Sequence, residues 1–213
     1  MKYLVFIVLT AAPSLAQMVS AGVKAGVPLG DAFTSAATYD AYDFKSDARR
    51  YLAGGTVEVH LPLRFSIELD AIYKKTGFST YFQSTDIGRF SDRVAANQWE
   101  FPLLAKYEIP AGKMRPFIDA GPVLRHISGI ADSSTYLTYF PPSSGSTNLN
   151  NSPDLRHRNS PGLAVGVGVT LKVLHIRISP EIRYTRWGTD TFQIGQPPIS
   201  NPNQEDLMVG FAF

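Results

Sequence analysis

From Val19 to the final Phe213 the chain changes polarity every second residue, in eight separate segments. A period of two is the pattern of a β-strand whose faces meet different surroundings, whereas an amphipathic helix would repeat near 3.6. Val19, Ala21, Val23, Ala25 and Val27 oppose Ser20, Gly22, Lys24 and Gly26 in the first segment, and Ala53, Val57, Val59 and Leu61 oppose Thr56, Glu58 and His60 in the second. The third is clearer, with Leu63, Phe65, Ile67, Leu69, Ala71 and Tyr73 against Arg64, Ser66, Glu68, Asp70 and Lys74. The fourth runs from Trp99 to Ile109, with Glu100, Lys106 and Glu108 on its polar face. The fifth, Arg115 to Ile127, contains Pro116 and Pro122, which cannot donate to a ladder. Placing Ile118, Ala120, Pro122 and Leu124 outward there puts Asp119 and Arg125 inward. The sixth (Gly162–Val173), seventh (Ile176–Thr185) and eighth (Asp206–Phe213) alternate again, with Lys172, Arg177, Glu181 and Arg183 on the polar face.

The links between segments fall into two alternating classes. Pro62, Pro110–Lys113 and Leu174–His175 are tight turns, while 29–50, 76–97, 128–160 and 188–204 are long and polar. Long loops at one end and short turns at the other are the layout of an outer-membrane barrel. This predicts an all-β fold: an eight-stranded antiparallel up-and-down transmembrane β-barrel with four long extracellular loops and short periplasmic turns. A soluble sandwich also alternates, but here the polar face carries acids and bases in nearly equal number. That balance suits a closed interior, where each buried charge needs a partner. Eight strands enclose a space just wide enough for side chains. Gly162, Gly166 and Gly168 of the sixth strand are expected to leave room for long Arg and Lys side chains. Tyr51, Tyr73, Trp99 and Tyr184 lie toward the long loops and Phe65, Tyr107 and Phe213 toward the short turns, as two interfacial girdles would require.

Bulk properties narrow the function classes. A net charge of +2 with 18% charged residues leaves no basic stripe, so a nucleic-acid partner is not expected. The mean hydropathy of -0.05 suits a barrel, whose strands show only alternate residues to lipid. With no cysteine there is no lipidated N-terminal Cys and no thiolate metal site. At the start, Lys2, the apolar run Leu4–Ala12 and Ser14-Leu15-Ala16 have the form of a secretory signal. Residues 1–16 are therefore expected to be a cleaved Sec signal peptide, and 17–213 the barrel domain. No later segment approaches the roughly 20 apolar residues of a membrane helix.

The last strand, Leu207-Met208-Val209-Gly210-Phe211-Ala212-Phe213, resembles the terminal β-signal of bacterial outer-membrane proteins. The mature region resembles the small outer-membrane β-barrel superfamily that includes the OmpA transmembrane domain, OmpX and opacity-type proteins. Arg115-Pro116-Phe117-Ile118-Asp119-Ala120-Gly121-Pro122 is similar to a recurring strand of that group. The resemblance implies location in the bacterial outer membrane, passage through periplasmic chaperones and insertion by the BAM machinery. It also implies contact with outer-membrane lipid and lipopolysaccharide. Because no peptidoglycan-binding domain follows the barrel, an anchoring role is not expected. The group has many roles, so fold alone names none.

The one enzymatic hint is His126-Ile127-Ser128, whose His and Ser face outward near the outer lip. An outward His-x-Ser resembles the lipid A deacylases, which are eight-strand barrels acting on lipid from their outer wall. A serine nucleophile needs a base in reach and the base an orienting acid. No outward Asp or Glu supplies that third member, and Gly129 follows where those enzymes have Asn. His60, His126, His157 and His175 have no metal-ligand spacing, and Gly166-Val167-Gly168 lacks the third glycine and the helix of a dinucleotide loop. No catalytic, cofactor or metal residue is therefore assigned. The leading expectation is a monomeric, non-enzymatic barrel with a structural or interaction role, its lumen plugged by salt bridges and its loops open to extracellular ligands. The alternatives are a lipid A deacylase using His126 and Ser128, or a narrow pore.

The terminal strand yields a test. Loss of Phe213 removes about 1.5–3 kcal/mol of apolar burial, modest for a whole barrel, yet it removes the residue that the β-signal resemblance places at the insertion step. Deleting Phe213 should lower outer-membrane yield in cells far more than it lowers the urea midpoint of protein refolded in detergent. Normal yield from the truncated chain would remove the terminal-signal argument.

Overall fold

The computed structural model describes residues 18–30, 42–46, 51–112, 114–150, 155–173, 175–192 and 201–213. The signal peptide expected at 1–16 lies outside them. The described residues form ten strands: β1 (Val19–Pro28), β2 (Tyr42–Ser46), β3 (Leu52–His60), β4 (Phe65–Ser84), β5 (Gly88–Glu108), β6 (Met114–Tyr139), β7 (Pro142–Leu149), β8 (Asn159–Val173), β9 (Ile176–Trp187) and β10 (Asn203–Ala212). Eight of them, β1, β3, β4, β5, β6, β8, β9 and β10, pair antiparallel with their sequence neighbours around a ring. The ring closes where β10 pairs β1, from Gly22↔Ala212 to Pro28↔Asp206. All the expected barrel strands are in place, and no edge is left within the barrel wall.

The outward face is the apolar one. Val23, Ile67, Leu69, Leu103, Ile118, Leu163, Val165, Val167 and Ile182 are exposed, while Lys24, Glu68, Asp70, Glu100, Lys106 and Arg183 are buried. This inverted polarity is what a hydrocarbon solvent outside and a packed polar core inside demand. Tyr73 packs on Trp99, ring centroids 5.2 Å apart, toward the long-loop end, and Phe65 packs on Tyr107 at 4.9 Å toward the short-turn end. The short turn after β3 is a single 3-10 turn, Pro62–Arg64, with Leu63 and Arg64 at positive φ.

Three of the long links differ from expectation, the first, 29–50, holding β2, which pairs β4 from Tyr42↔Phe82 to Ser46↔Phe78. Residues 76–97, read from their polarity as a loop, continue the β4–β5 ladder out to Ser84↔Gly88. The third link likewise holds the end of β6 and then β7, which pairs back on it from Asp132↔Leu149 to Tyr139↔Pro142. At 26 residues β6 is far longer than the roughly 9–11 that a tilted strand needs to cross a bilayer. The strands therefore stand well outside the membrane as a sheet of β2, β4, β5, β6 and β7. Aromatic and β-branched residues such as Thr76, Phe78, Thr80, Tyr81 and Phe82 explain why a polar segment stays extended.

A register shift marks the boundary between barrel and projecting sheet. β5 and β6 slip between Ala95 and Asn97, opposite Gly129, whose φ is +55°. Before the shift β6 buries Phe117, Asp119, Val123, Arg125 and Ile127; after it, Ile130 and Asp132. One extra residue in β6 thus flips the inward face from odd to even positions, as a β-bulge does. A Cβ at 129 would lie 2.5 Å from Asn97 Nδ2. A left-handed conformation costs a residue with a Cβ about 1–2 kcal/mol before that clash is counted. Gly129→Val should lower the unfolding free energy from urea titration by at least about 2 kcal/mol, whereas Gly112→Val, also at positive φ but with nothing within 4 Å of its Cβ, should have a smaller effect. An unchanged midpoint for Gly129→Val would remove the bulge from the account.

Candidate functional site

Residues of β1, β4 and β9 meet at the barrel axis. Lys24 Nζ contacts the carboxylate of Glu68 and lies 3.1 Å from Asp70 and 3.0 Å from Glu181. The Arg183 guanidinium spans the same three acids, donating to Glu181 at 2.6 Å, Asp70 at 2.9 Å and Glu68 at 3.3 Å. Lys106 extends the cluster from Glu68 at 3.2 Å to Glu58 at 3.5 Å, and its ammonium sits 4.2 Å from the centre of the Phe117 ring. Period-two alternation alone brings these residues together from five strands far apart in the chain. A cavity of about 20 Å³ remains beside the cluster, room for about one water.

A second, smaller ion cluster lies toward the extracellular side. Lys74 bonds Asp206 at 2.6 Å and Glu100 at 3.0 Å, and Gln98 donates to Glu100 at 2.6 Å. Arg125 has no ion pair among the described residues. Its guanidinium lies 4.2 Å from the Trp187 ring centre and donates to the carbonyl of Thr189 at 3.3 Å.

Several interior details depart from expectation. Arg64 and Lys172 are exposed, because the 3-10 turn and the end of β8 carry them to the short-turn rim. Glu108 and Arg177 are only half-buried there. The interior charges are also less balanced than the sequence suggests: among the described residues of the barrel, seven buried carboxylates face five buried bases, with Asp92 and Asp132 buried beyond the bulge. Asp119 shows the imbalance locally, since neither of its buried oxygens has a hydrogen-bond partner. The glycines of β8 make room for carboxylates and rings rather than for Arg and Lys. A Cβ on Gly166 would come within 2.5 Å of Asp119 Oδ1 and 2.9 Å of Glu181 Oε1, and one on Gly168 within 2.4 Å of the Phe117 ring.

Sequence reasoning missed that the lumen also holds apolar layers. Phe78, Val94, Ala96, Ile127, Ile130 and Phe192 form one cluster where the barrel meets the projecting sheet, with Phe78 and Phe192 edge-to-face at 5.8 Å. Leu104, Val123, Ala164 and Trp187 form a second, and Leu52, Ile72 and Met208 a third. Inward parity carried on from Asp70 and Lys74 would have found Phe78; nothing in the sequence placed Phe192.

His126 and Ser128 lie on the outward face, as read from the sequence, but are not joined. His126 Nδ1 is 2.7 Å from Asn159 Oδ1. Among the described residues no hydrogen bond links Ser128 to His126, and no carboxylate orients the imidazole. The described residues also contain no group of three or more His, Cys, Asp or Glu placed to hold a metal ion.

The chain matches the family described as outer membrane protein beta-barrel domain over residues 12–193. Solved structures similar to it include Neisserial surface protein A, at 12% identity, covering 91% of this chain and 95% of that one with a TM-score of 0.44. OprG from Pseudomonas aeruginosa is similar at 13% identity, with 92% and 94% covered and a TM-score of 0.47. Ail, the attachment invasion locus protein of Yersinia pestis, is similar at 9% identity, with 92% and 99% covered and a TM-score of 0.33. Comparison with curated proteins gives no match.

Breaking a buried ion cluster by removing one partner typically costs about 3–5 kcal/mol, because the other charges stay buried and uncompensated. Lys24→Met leaves Glu68, Asp70 and Glu181 with Arg183 as their one shared base, apart from the Lys106 contact to Glu68. Its unfolding free energy from urea titration should fall by an amount in that range, and a second change, Glu181→Gln, should recover part of the loss. A Lys24→Met barrel as stable as the native one would show that the cluster contributes little to stability.

Proposed function

The chain belongs to the outer membrane protein β-barrel family, and from that premise we propose that it is a non-enzymatic interaction protein whose projecting sheet is its working surface. The observation that carries this reading is the continuation of β4, β5 and β6 beyond the barrel, joined there by β2 and β7. At the tip of that sheet Ile87 and Phe140, in its two turns, are exposed together with nearby Leu137, Phe140 at 87%, whereas Tyr81 shares the Leu137 face and Phe90 and Tyr136 lie on the opposite one. Large apolar side chains displayed together outside the membrane mark a contact surface. The β7 strand, Pro142-Ser-Ser-Gly-Ser-Thr-Asn-Leu149, pairs only with β6 among the described residues and carries no charge on its outer edge. Natural edges are usually blunted by Lys, Pro or a bulge; after Pro142 at its start, β7 has neither Lys nor Pro from Ser143 to Leu149, and that stretch suits pairing with an extended segment of a partner.

Below the sheet, the ion clusters and apolar layers support a plugged lumen rather than a pore. The unlinked His126 and Ser128 support the non-enzymatic reading over a lipid A deacylase. In this reading residues 1–16 are a cleaved export signal, chaperones and the BAM machinery deliver the barrel, and it works as a monomer.

Two experiments bear on the proposal. Replacing Ile87, Leu137 and Phe140 together with Ser should leave the heat-dependent gel shift of a folded barrel intact. The same change should reduce binding of expressing cells to epithelial cells and immobilised matrix proteins several-fold. Equal binding by native and triple-variant cells on every such surface would contradict the contact-surface reading. Separately, Ser128→Ala should leave the acylation pattern of lipid A unchanged. A native-dependent shift in that pattern, abolished by Ser128→Ala, would put the enzyme first.

A further inference from the structure

On the outer wall, where β8 and β9 approach their extracellular ends, the surface opens into a groove of about 600 Å³. Leu163 and Val165 of β8 and Tyr184 and Arg186 of β9 line it, with Gly162 and Gly188 at its upper end. Its form follows from the residues. Gly188 continues the outward row of Ile182, Tyr184 and Arg186 but carries no side chain, and a Cβ there would lie 3.3 Å from the Pro161 carbonyl. The wall between Arg186 and Pro161 is therefore left open. The volume lies within the roughly 300–1,000 Å³ typical of small-ligand sites.

The groove is chemically divided along the membrane normal. Leu163 and Val165 are 67% and 52% exposed and continue the apolar belt formed by Val167 and Ile182. Tyr184 stands at the girdle, its hydroxyl donating to Asn203 Oδ1 at 2.7 Å. Arg186, the next outward residue of β9, pairs across the ladder with Leu163 and Asn203. It is exposed and has no ion pair among the described residues. A guanidinium level with Leu163 at the extracellular end of an apolar trough is complementary to an anionic lipid: the acyl chain fills the trough while the fork of N–H donors takes phosphate oxygens bidentately. The extracellular end of the barrel faces the outer leaflet, whose anionic lipid is the phosphorylated glycolipid of lipopolysaccharide.

We propose that the Leu163–Val165–Tyr184–Arg186 groove is a specific site for a lipid A phosphate and acyl chain, with Arg186 as the phosphate-binding residue. The site is separate from the projecting sheet and does not depend on the contact-surface reading. By fixing one glycolipid on the β8–β9 wall, it would orient the barrel against its leaflet.

The test uses the full mature chain refolded in detergent and native mass spectrometry. Equimolar bisphosphorylated lipid A, its dephosphorylated form and phosphatidylglycerol are offered as probes. The native protein should retain one lipid A per barrel in preference to both other lipids. A phosphate contact near a membrane surface is worth about 1 kcal/mol per basic residue or somewhat more, so Arg186→Gln should weaken retention about fivefold to tenfold for phosphorylated lipid A alone. Val165→Trp fills the trough and should lower retention of both lipid A forms, and the heat-dependent gel shift reports that each variant is folded. Undiminished retention by Arg186→Gln, or equal retention of phosphatidylglycerol and lipid A by the native protein, would overturn the assignment. The Ile87, Leu137 and Phe140 variant should retain lipid A normally, which separates failure of this site from failure of the contact sheet.

Discussion

Within hydrocarbon every backbone N–H and C=O must find a partner inside the protein, each failure costing several kcal/mol. For a chain made of strands, this constraint leaves closure as the one solution. The β1–β10 seam meets it, and the ladder from Gly22↔Ala212 to Pro28↔Asp206 leaves neither strand open. Closure has a consequence for side chains. Once the wall is continuous, alternate residues have only two destinations, lipid or lumen, and a lumen of eight strands is narrow enough to be packed. The ion cluster of Lys24, Arg183, Glu68, Asp70 and Glu181 is therefore a product of the same geometry that satisfies the backbone.

The constraint ends where the membrane ends. Beyond the girdles the backbone can bond water, so closure is no longer required, and the sheet opens into β2, β4, β5, β6 and β7, with β2 and β7 at its edges among the described residues. The Gly129 bulge sits at this transition. It reverses the inward parity of β6, which brings Ile127 and Ile130 to the same side and lets them cap the lumen with Phe78, Val94 and Phe192. Rigid closed wall below and open sheet above divide the molecule into an anchor and a presenting surface.

Most of the wall was legible in the sequence because membrane barrels impose period two on every strand. Lys24, Glu68, Asp70, Lys106, Glu181 and Arg183 could be placed on one face by counting alone, and they meet at the axis. The failures have physical causes. Residues 76–97 looked like a loop because their outward positions, such as Ser79, Gln83 and Arg93, turn polar outside the membrane, although Phe78 keeps the parity of Asp70 and Lys74. The flip at Gly129 depends on one backbone angle, which polarity does not encode. Charge balance was overestimated because Arg64 and Lys172, counted as interior, lie exposed at the short-turn rim, one in the 3-10 turn and the other at the end of β8. The roles of Gly166 and Gly168 depend on cross-strand neighbours, Asp119 and Phe117, that only the register reveals. His126 and Ser128 were correctly placed outward, but their failure to bond, and the Asn159 contact that takes the imidazole, are matters of rotamer and distance.

The central claim is that the space enclosed by the closed wall is occupied by its own ion clusters and apolar layers. Planar-bilayer recording of the purified mature protein at high salt tests it most directly. The account predicts no stable open level, with at most brief small transients that do not grow when Lys106 is shortened to Ala at the rim of the central cluster. Large steady ohmic currents of porin type from the native protein would contradict it.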